Sequence, residues 1–195
     1  MKNLVFILLL IALSACSSLP GKNSKEFTRS FANTDTTTCF EALDLIANDS
    51  QVAIRKAQEY ITKRLERNLP VHIDVGGEGR YEDALNINPG KYTSTTGEAG
   101  RLIPNWVYGR SDELPLPDGS VHKLTVESAP LNDLAISEIL RVMRPRSQIE
   151  LYHPTEYAER IHARLIENLE NNNITIQVTQ SRDDIATRTI IDIQY

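Results

Sequence analysis

From residue 71 to its last residue the chain alternates short β-rich runs with helix-patterned stretches, and few folds accommodate that alternation. Val71-His72-Ile73-Asp74-Val75 ends in Gly76-Gly77-Glu78-Gly79. Ala84-Leu85-Asn86-Ile87-Asn88 is stopped by Pro89-Gly90. Trp106-Val107-Tyr108, Val121 to Glu127 and Gln148 to His153 follow. Between and after them lie two helical stripes. Asn132 or Asp133 caps one, with Leu134, Ile139, Leu140 and Met143 expected inward and Pro145 as its stop. Thr155 opens the other, with Tyr157, Ile161, Leu165, Ile166 and Leu169 on one face and Asn171-Asn172-Asn173 at its end. Ile174, Ile176 and Val178, then Ile191, Ile193 and Tyr195, alternate with polar residues, as strands of one antiparallel pair or neighbours in one sheet. The pattern predicts an α/β fold: a mostly parallel sheet with helices on both faces and an antiparallel edge at the C-terminus. In such sheets ligands bind beyond the carboxyl ends of the strands, here after Val75, Ile87 and Val126.

Composition narrows the function classes. A net charge of −5 over 195 residues, without a clustered basic face, argues against a nucleic-acid binder. Two cysteines are too few for a disulfide-built fold. The apolar residues are not evenly spread, because Lys2 is followed by an unbroken apolar run from Leu4 to Leu13. As a helix that run rises about 15 Å, half a bilayer core, which suits a signal-peptide core and not a permanent span. Leu13-Ser14-Ala15-Cys16 resembles the bacterial lipobox. The resemblance implies that residues 1–15 are a lipoprotein signal peptide and that Cys16 carries acyl chains such as palmitate. The membrane is then the expected partner, through the anchor at Cys16. It also implies a cell-envelope location. Ser17, where an Asp marks inner-membrane retention, favours the outer membrane if the envelope is Gram-negative.

Residues 16–37, rich in Ser, Thr, Asn and Lys, read as a lipidated tether, and residues 38–70 as N-terminal helices ahead of a domain at 71–195. Thr38-x-x-Glu41 is a capping box for a helix through Phe40, Leu43 and Ile46, closing near Asn48. Asp49 or Ser50 can cap a second helix over about 51–67, with Ile54, Ala57, Ile61 and Leu65 at helical spacing. Its basic side (Arg55, Lys56, Lys63, Arg64, Arg67) reads as a solvated face, with a membrane contact as the other reading. Cys39 reads as a small buried hydrophobe or as a thiol open to intermolecular pairing.

The stretch from 71 to 154 resembles class I methyltransferases, which bind S-adenosylmethionine (SAM) on a Rossmann-like sheet. Asp74-Val75-Gly76-Gly77-Glu78-Gly79 looks like their glycine-rich first loop, and Ala84-Leu85-Asn86-Ile87-Asn88 like their second strand after a very short crossover. Gly109 to Ser120 resembles the segment leading into the fourth strand, and Ala135 to Pro145 the helix before the fifth. The resemblance implies SAM as cofactor, no metal, and cofactor contacts from Asp74, Gly76, Gly77, Gly79, Asn88 and Asp112. Glu127, at the end of the fourth strand, is the candidate catalytic base, or else a cap for the turn before Pro130.

The pattern is broken at several of these positions. Asn88 stands where an acid holds the ribose, and Glu78 where a middle glycine is usual. Arg110 falls near the adenine-contacting Asp, His122 replaces the Asp that starts the fourth strand, and Arg146-Ser147 replaces a Gly-Gly turn. His72, His122, His153 and His162 lack metal-ligand spacing and read as surface or strand residues. Ser128 has no Gly-x-Ser-x-Gly context. Two functional readings follow. One is a lipoprotein that uses the scaffold as a binding or structural module without methyl transfer. The other is a SAM-dependent methyltransferase of unknown acceptor.

Overall fold

The computed structural model describes residues 36–94 and 99–194, with the backbone alone for 36–48. The signal, Cys16, the tether up to residue 35, the side chain of Cys39 and Tyr195 lie outside what is described, and the last two tether positions, 36 and 37, begin the first helix. Seven strands form one sheet: β1 (His72–Val75), β2 (Leu85–Asn88), β3 (Trp106–Tyr108), β4 (Val121–Glu127), β5 (Met143–Pro154), β6 (Thr175–Arg182) and β7 (Ala186–Gln194). Their order across the sheet is β3-β2-β1-β4-β5-β7-β6. The first five are mutually parallel, and β7 runs antiparallel between β5 and β6. The core follows the doubly wound, Rossmann-like order, with an antiparallel hairpin closing the C-terminal edge. The described residues hold three helices, α1 (Thr36–Glu66), α2 (Asp133–Val142) and α3 (Thr155–Asn171), α1 meeting the core through Ala53, Ala57 and Ile61.

Successive residues of a strand point to opposite faces, so register converts sequence into two surfaces. One lateral row reads Leu85, Ile73, Leu124, Ile149, Ile191, Val178, and the next Val107, Ile87, Val75, Val126, Leu151. The opposite face reads Asn86, Asp74, Thr125, Glu150, Ile190, and beside it His72, Lys123, Gln148, Asp192. The apolar rows join the helices in one cluster: Ala53, Ala57 and Ile61 from α1, Ile136, Ile139 and Val142 from α2, Leu165 and Leu169 from α3. Over the polar rows, segment 76–84 takes the place that a crossover helix holds in a doubly wound sheet. Tyr81 pins it there, its ring 4.7 Å from that of His72 and its hydroxyl donating to Glu150 at 3.0 Å.

Four local expectations change. The break expected at Asn48 to Ser50 is absent, and α1 is one continuous helix. Asn, Asp and Ser each cost a helix only about 0.5 kcal/mol, and no Gly or Pro interrupts the ladder there. It ends at Glu66, and the chain turns before Pro70 at Asn68 (φ 53°), where Asn68 N–H bonds Leu65 O and Leu69 N–H bonds Arg64 O. In α2, capped by Asn132 as expected, Leu134 is solvent-exposed; Ala135, Ile136, Ile139 and Val142 are the buried stripe. In α3 Tyr157 is exposed, and Ala158 and His162 share the inner face with Leu165 and Leu169. Pro145 does not follow a helix end at a distance: α2 stops at Val142 and Pro145 lies within β5. There the register jumps from Val121↔Met143 to Lys123↔Gln148, and a bulge tolerates a residue without an N–H.

Candidate functional site

The chain leaves β1 through two glycines that its own backbone and side chains require. Gly76 has φ +81°, and a Cβ there would lie 2.3 Å from Glu127 O. At Gly77 a Cβ would lie 2.0 Å from Asp74 Oδ2. No L side chain fits either place, so both residues make room for the protein and not for a ligand. Gly79 is pressed in the same way against Pro104, at 2.6 Å. Asn88, at the end of β2, donates its amide to Gly77 O at 2.6 Å. Glu78 turns back across the loop and accepts from Ser94 N–H at 2.8 Å and from the Ser94 hydroxyl.

The three strand ends surround a cavity of about 760 Å³. Gly76, Glu78, Gly79 and Arg80 come from the loop after β1, Asn88 and Pro89 from the end of β2, and Glu127 to Pro130 from the end of β4 and its turn, with Ser94, Arg101 and Tyr152 completing the wall. Glu127 is held by Arg80 at 2.7 Å, and the Arg80 guanidinium lies 4.4 Å over the Tyr152 ring. Burial raises the Glu127 carboxyl above its ordinary range, and Arg80 opposes the shift. Of the sequence candidates, Gly76, Gly79, Asn88 and Glu127 meet at the cavity. Asp74 and Gly77 lie beneath it. Asp112 is elsewhere, gripped by Arg110 at 3.0 and 3.2 Å, and that pairing lowers its carboxyl. Arg80, Ser94, Arg101 and Tyr152 carried no motif, and only the folded chain brings them together.

Asp74 is fully buried, and neither carboxylate oxygen meets hydrogen-bond geometry with a donor. Desolvation first, then the nearby Glu127, pushes it up to about 7; Gly77 N–H lowers it only as a minor influence. Glu150, on the same face, is the opposite case. Its burial favours the neutral acid, but Arg188 Nε at 2.6 Å, Lys123 Nζ at 3.0 Å and Tyr81 outweigh it and bring it down to about 2.

Three histidines expected as surface or strand residues are buried and bonded. His72 Nε2 lies 3.0 Å from Thr125 Oγ1, and desolvation with Lys123 lowers it to about 4. His153 and His162 bond each other at 3.0 Å. The helical spacing of His162 with Ala158, Leu165 and Leu169 was the available signal for its burial. Half-buried His122 sits between Val71 N–H at 3.1 Å and Arg144 Nη1 at 2.7 Å. Among the described residues, no group of three or more His, Cys, Asp or Glu is placed to hold a metal.

At the strand ends Gly76 and Gly79 line the cavity while the direction a Cβ would take at each meets the chain's own atoms, Asn88 is bonded to Gly77 O, and no helix follows the loop at 76–84. No family model and no curated protein matches the chain. Among solved structures, it is similar to the antibiotic-resistance methyltransferase Kmr at 19% identity, covering 65% of this chain and 87% of that one, with a TM-score of 0.43. A SAM-dependent methyltransferase of Thermotoga maritima, described as a possible histamine N-methyltransferase, is 13% identical over 80% of this chain and 98% of that one, with a TM-score of 0.43. A SAM-dependent methyltransferase of Methanosarcina mazei is 12% identical over 64% and 92%, again at 0.43. Likeness at that level leaves fold and activity to be argued from this chain's own topology and residues.

Proposed function

We propose that this chain is a binding module built on a methyltransferase-like, Rossmann-like scaffold, held at a bacterial membrane by lipid on Cys16, and that it transfers no methyl group from SAM. One observation carries the reading: the loop after β1 packs its glycines on Asp74, Glu127 and Pro104. Those glycines answer to the chain's own packing, and Asn88 and Glu78 beside them are already bonded to Gly77 O and Ser94. The cavity that remains has the size of a small-molecule site and a mixed polar wall, which supports binding. Outer-membrane placement rests on Ser17 alone.

The second reading, a SAM-dependent methyltransferase of unknown acceptor, is favoured by one feature. The cavity lies beyond the carboxyl ends of β1, β2 and β4 with Glu127 in its wall.

Thermal unfolding of the full chain in detergent, with and without SAM or S-adenosylhomocysteine at about 1 mM, separates the two. A ligand present at a hundred times its Kd stabilises by about 2.7 kcal/mol and moves the midpoint by several degrees. The binding-module reading expects no shift; a shift with either compound overturns it. For the anchor, Cys16→Ser is expected to move the protein from the membrane to the soluble fraction. Retention after a high-salt wash overturns the lipid assignment.

A further inference from the structure

The sheet has two edges, and they differ in kind. At one lies β3, three residues long. At the other lies β6, eight residues in unbroken register with β7 from Thr175↔Gln194 to Arg182↔Thr187. Short edge strands, prolines, bulges and lysines are the usual guards against pairing with another chain. β3 is guarded by its length. β6 reads Thr-Ile-Gln-Val-Thr-Gln-Ser-Arg, without proline, glycine, lysine or acid. Every residue of it but Ile176 is exposed, and Val178 is 41% exposed.

The hairpin fixes which backbone groups point outward. Asp183 N–H donates to Ala186 O at 3.0 Å, so Asp183 and Ala186 form a hydrogen-bonded pair. Such pairs alternate along an antiparallel ladder. Ser181, Thr179, Gln177 and Thr175 therefore turn their N–H and C=O toward Arg188, Ile190, Asp192 and Gln194 of β7. Ile176, Val178, Gln180 and Arg182 turn theirs away from the sheet. The far side of β7 agrees: Thr155 N–H donates to Ile185 O at 3.2 Å, which puts the odd-numbered residues of β7 on the β5 side. Among the described residues, no strand lies beyond β6 to meet the outward row.

A second β6 has the same two-residue rhythm and can meet that row antiparallel. A two-fold axis through Val178 sets Val178 opposite Val178, Ile176 opposite Gln180 and Arg182 opposite Ile174, all as hydrogen-bonded pairs. Thr175 then meets Ser181, and Gln177 meets Thr179, on the other face. The exposed apolar residue of the strand is thus covered by its own mate, a β-branched pair of the favourable kind. No like charges oppose each other, because Arg182 is the only charge of β6 and lies at its end. Arg182 shares the face of Thr187 and Thr189, and Thr189 is bonded to His162 of α3, so the arginine lies on the helix-covered face. The pairing brings it to Ile174 of the second copy, just past the end of that copy's α3 at Asn171. The last turn of α3 has no basic residue and carries the exposed Glu170. A cation is favoured at such a helix end.

We propose that the chain forms a two-fold dimer in which the β6 strands of two copies pair antiparallel across Val178 and join their sheets into one. An extended segment of an unrelated protein would meet the same N–H and C=O groups, but it would bring no helix end to Arg182.

The test uses the full chain in detergent. At about 50 μM, above the micromolar limit of specific interfaces, sedimentation should give twice the protein mass of one chain. Val178→Lys and Val178→Glu each set like charges face to face, and each alone should sediment as a monomer. Mixed one to one, the two variants should regain the dimer, which also shows that both are folded. Val178→Cys, in a Cys39→Ser background, gives an independent reading. It should cross-link to itself on mild oxidation, because Cα atoms in a hydrogen-bonded pair lie about 5.5 Å apart, within disulfide reach. Ile185→Cys, in the exposed turn beyond β6, should not. A monomeric wild type would overturn the proposal and leave the edge to a different partner. So would a dimer that persists in Val178→Lys, as lipid clustering in one micelle would give. A mixture that stays monomeric, or a dimer without the cross-link at residue 178, would overturn it as well.

Discussion

The two faces of the sheet divide the work of the molecule. The face bearing Ile73, Leu124, Ile149 and Leu151 is fully buried against the helices and contains nothing that titrates along these rows. The face bearing His72, Asp74, Lys123, Thr125 and Glu150 is built from ionisable and polar side chains and is roofed by segment 76–84. The same strands supply both, one residue apart. Burial of the aliphatic rows on the first face stabilises the fold without regard to pH; His153, farther along that face, is its buried titratable residue. On the second, each carboxylate stabilises or destabilises according to its partners: Glu150 is held by Arg188, Lys123 and Tyr81, whereas Asp74 has no side chain bonded to it. Stability and chemistry therefore lie back to back across a single layer of backbone.

That division can be broken or sharpened by substitution, beginning with the largest effect. Leu151→Ala, on the apolar face, should cost about 3–4 kcal/mol in denaturant unfolding, nearly independent of pH. Glu150→Ala, on the polar face, should cost about 2–3 kcal/mol at pH 7. That is below the loss for a fully buried pair, because Lys123 and Arg188 stay partly in water. Its contribution is pH-dependent. With the folded carboxyl at about 2 and the reference value at 4.5, it is present above 4.5 and is lost as pH falls towards 2. A wild-type curve without that acid limb, or a variant that keeps it, would contradict this role of Glu150.

Asp74→Asn should do the reverse of its neighbour. The folded carboxyl at about 7 lies above its reference of 3.8, so its favourable contribution is present below 3.8 and is lost as pH rises through 7. The amide should therefore stabilise by on the order of 2 kcal/mol at pH 8 and by much less at pH 4. Equal effects at both values would show that the carboxyl is not neutral when buried. The smallest effects belong to the helix surfaces: Leu134→Ala and Tyr157→Ala should each change stability by less than about 0.5 kcal/mol. A larger loss at either would restore the helix faces expected from spacing alone.

Spacing made the architecture legible because alternation survives in short strands. The limits of β3 and β4 and the Asn132 cap stand in the sequence, as does the antiparallel edge. The helix faces were less legible. Leu134 and Tyr157 are apolar enough to look inward, yet the stripe is set by the Ala and His residues beside them, which a hydrophobicity pattern passes over. At the site, Gly76 and Gly77 were visible, but whether a glycine makes room for a ligand or for its own chain depends on Asp74 and Glu127, the second of them fifty residues away. The His153–His162 bond crosses from a strand to a helix and has no local signature. Arg80 and Tyr152 meet only because β1 and β5 both flank β4.

The most direct test of the closed glycine loop is isothermal calorimetry of the full chain in detergent with SAM, run beside the variant Glu78→Gly/Asn88→Asp. The account predicts no saturable heat for the wild type up to about 1 mM, the range of the weakest specific ligands. Saturable binding by the wild-type chain, weakened when Gly77→Asp is introduced, would contradict it and would make the cavity a SAM site.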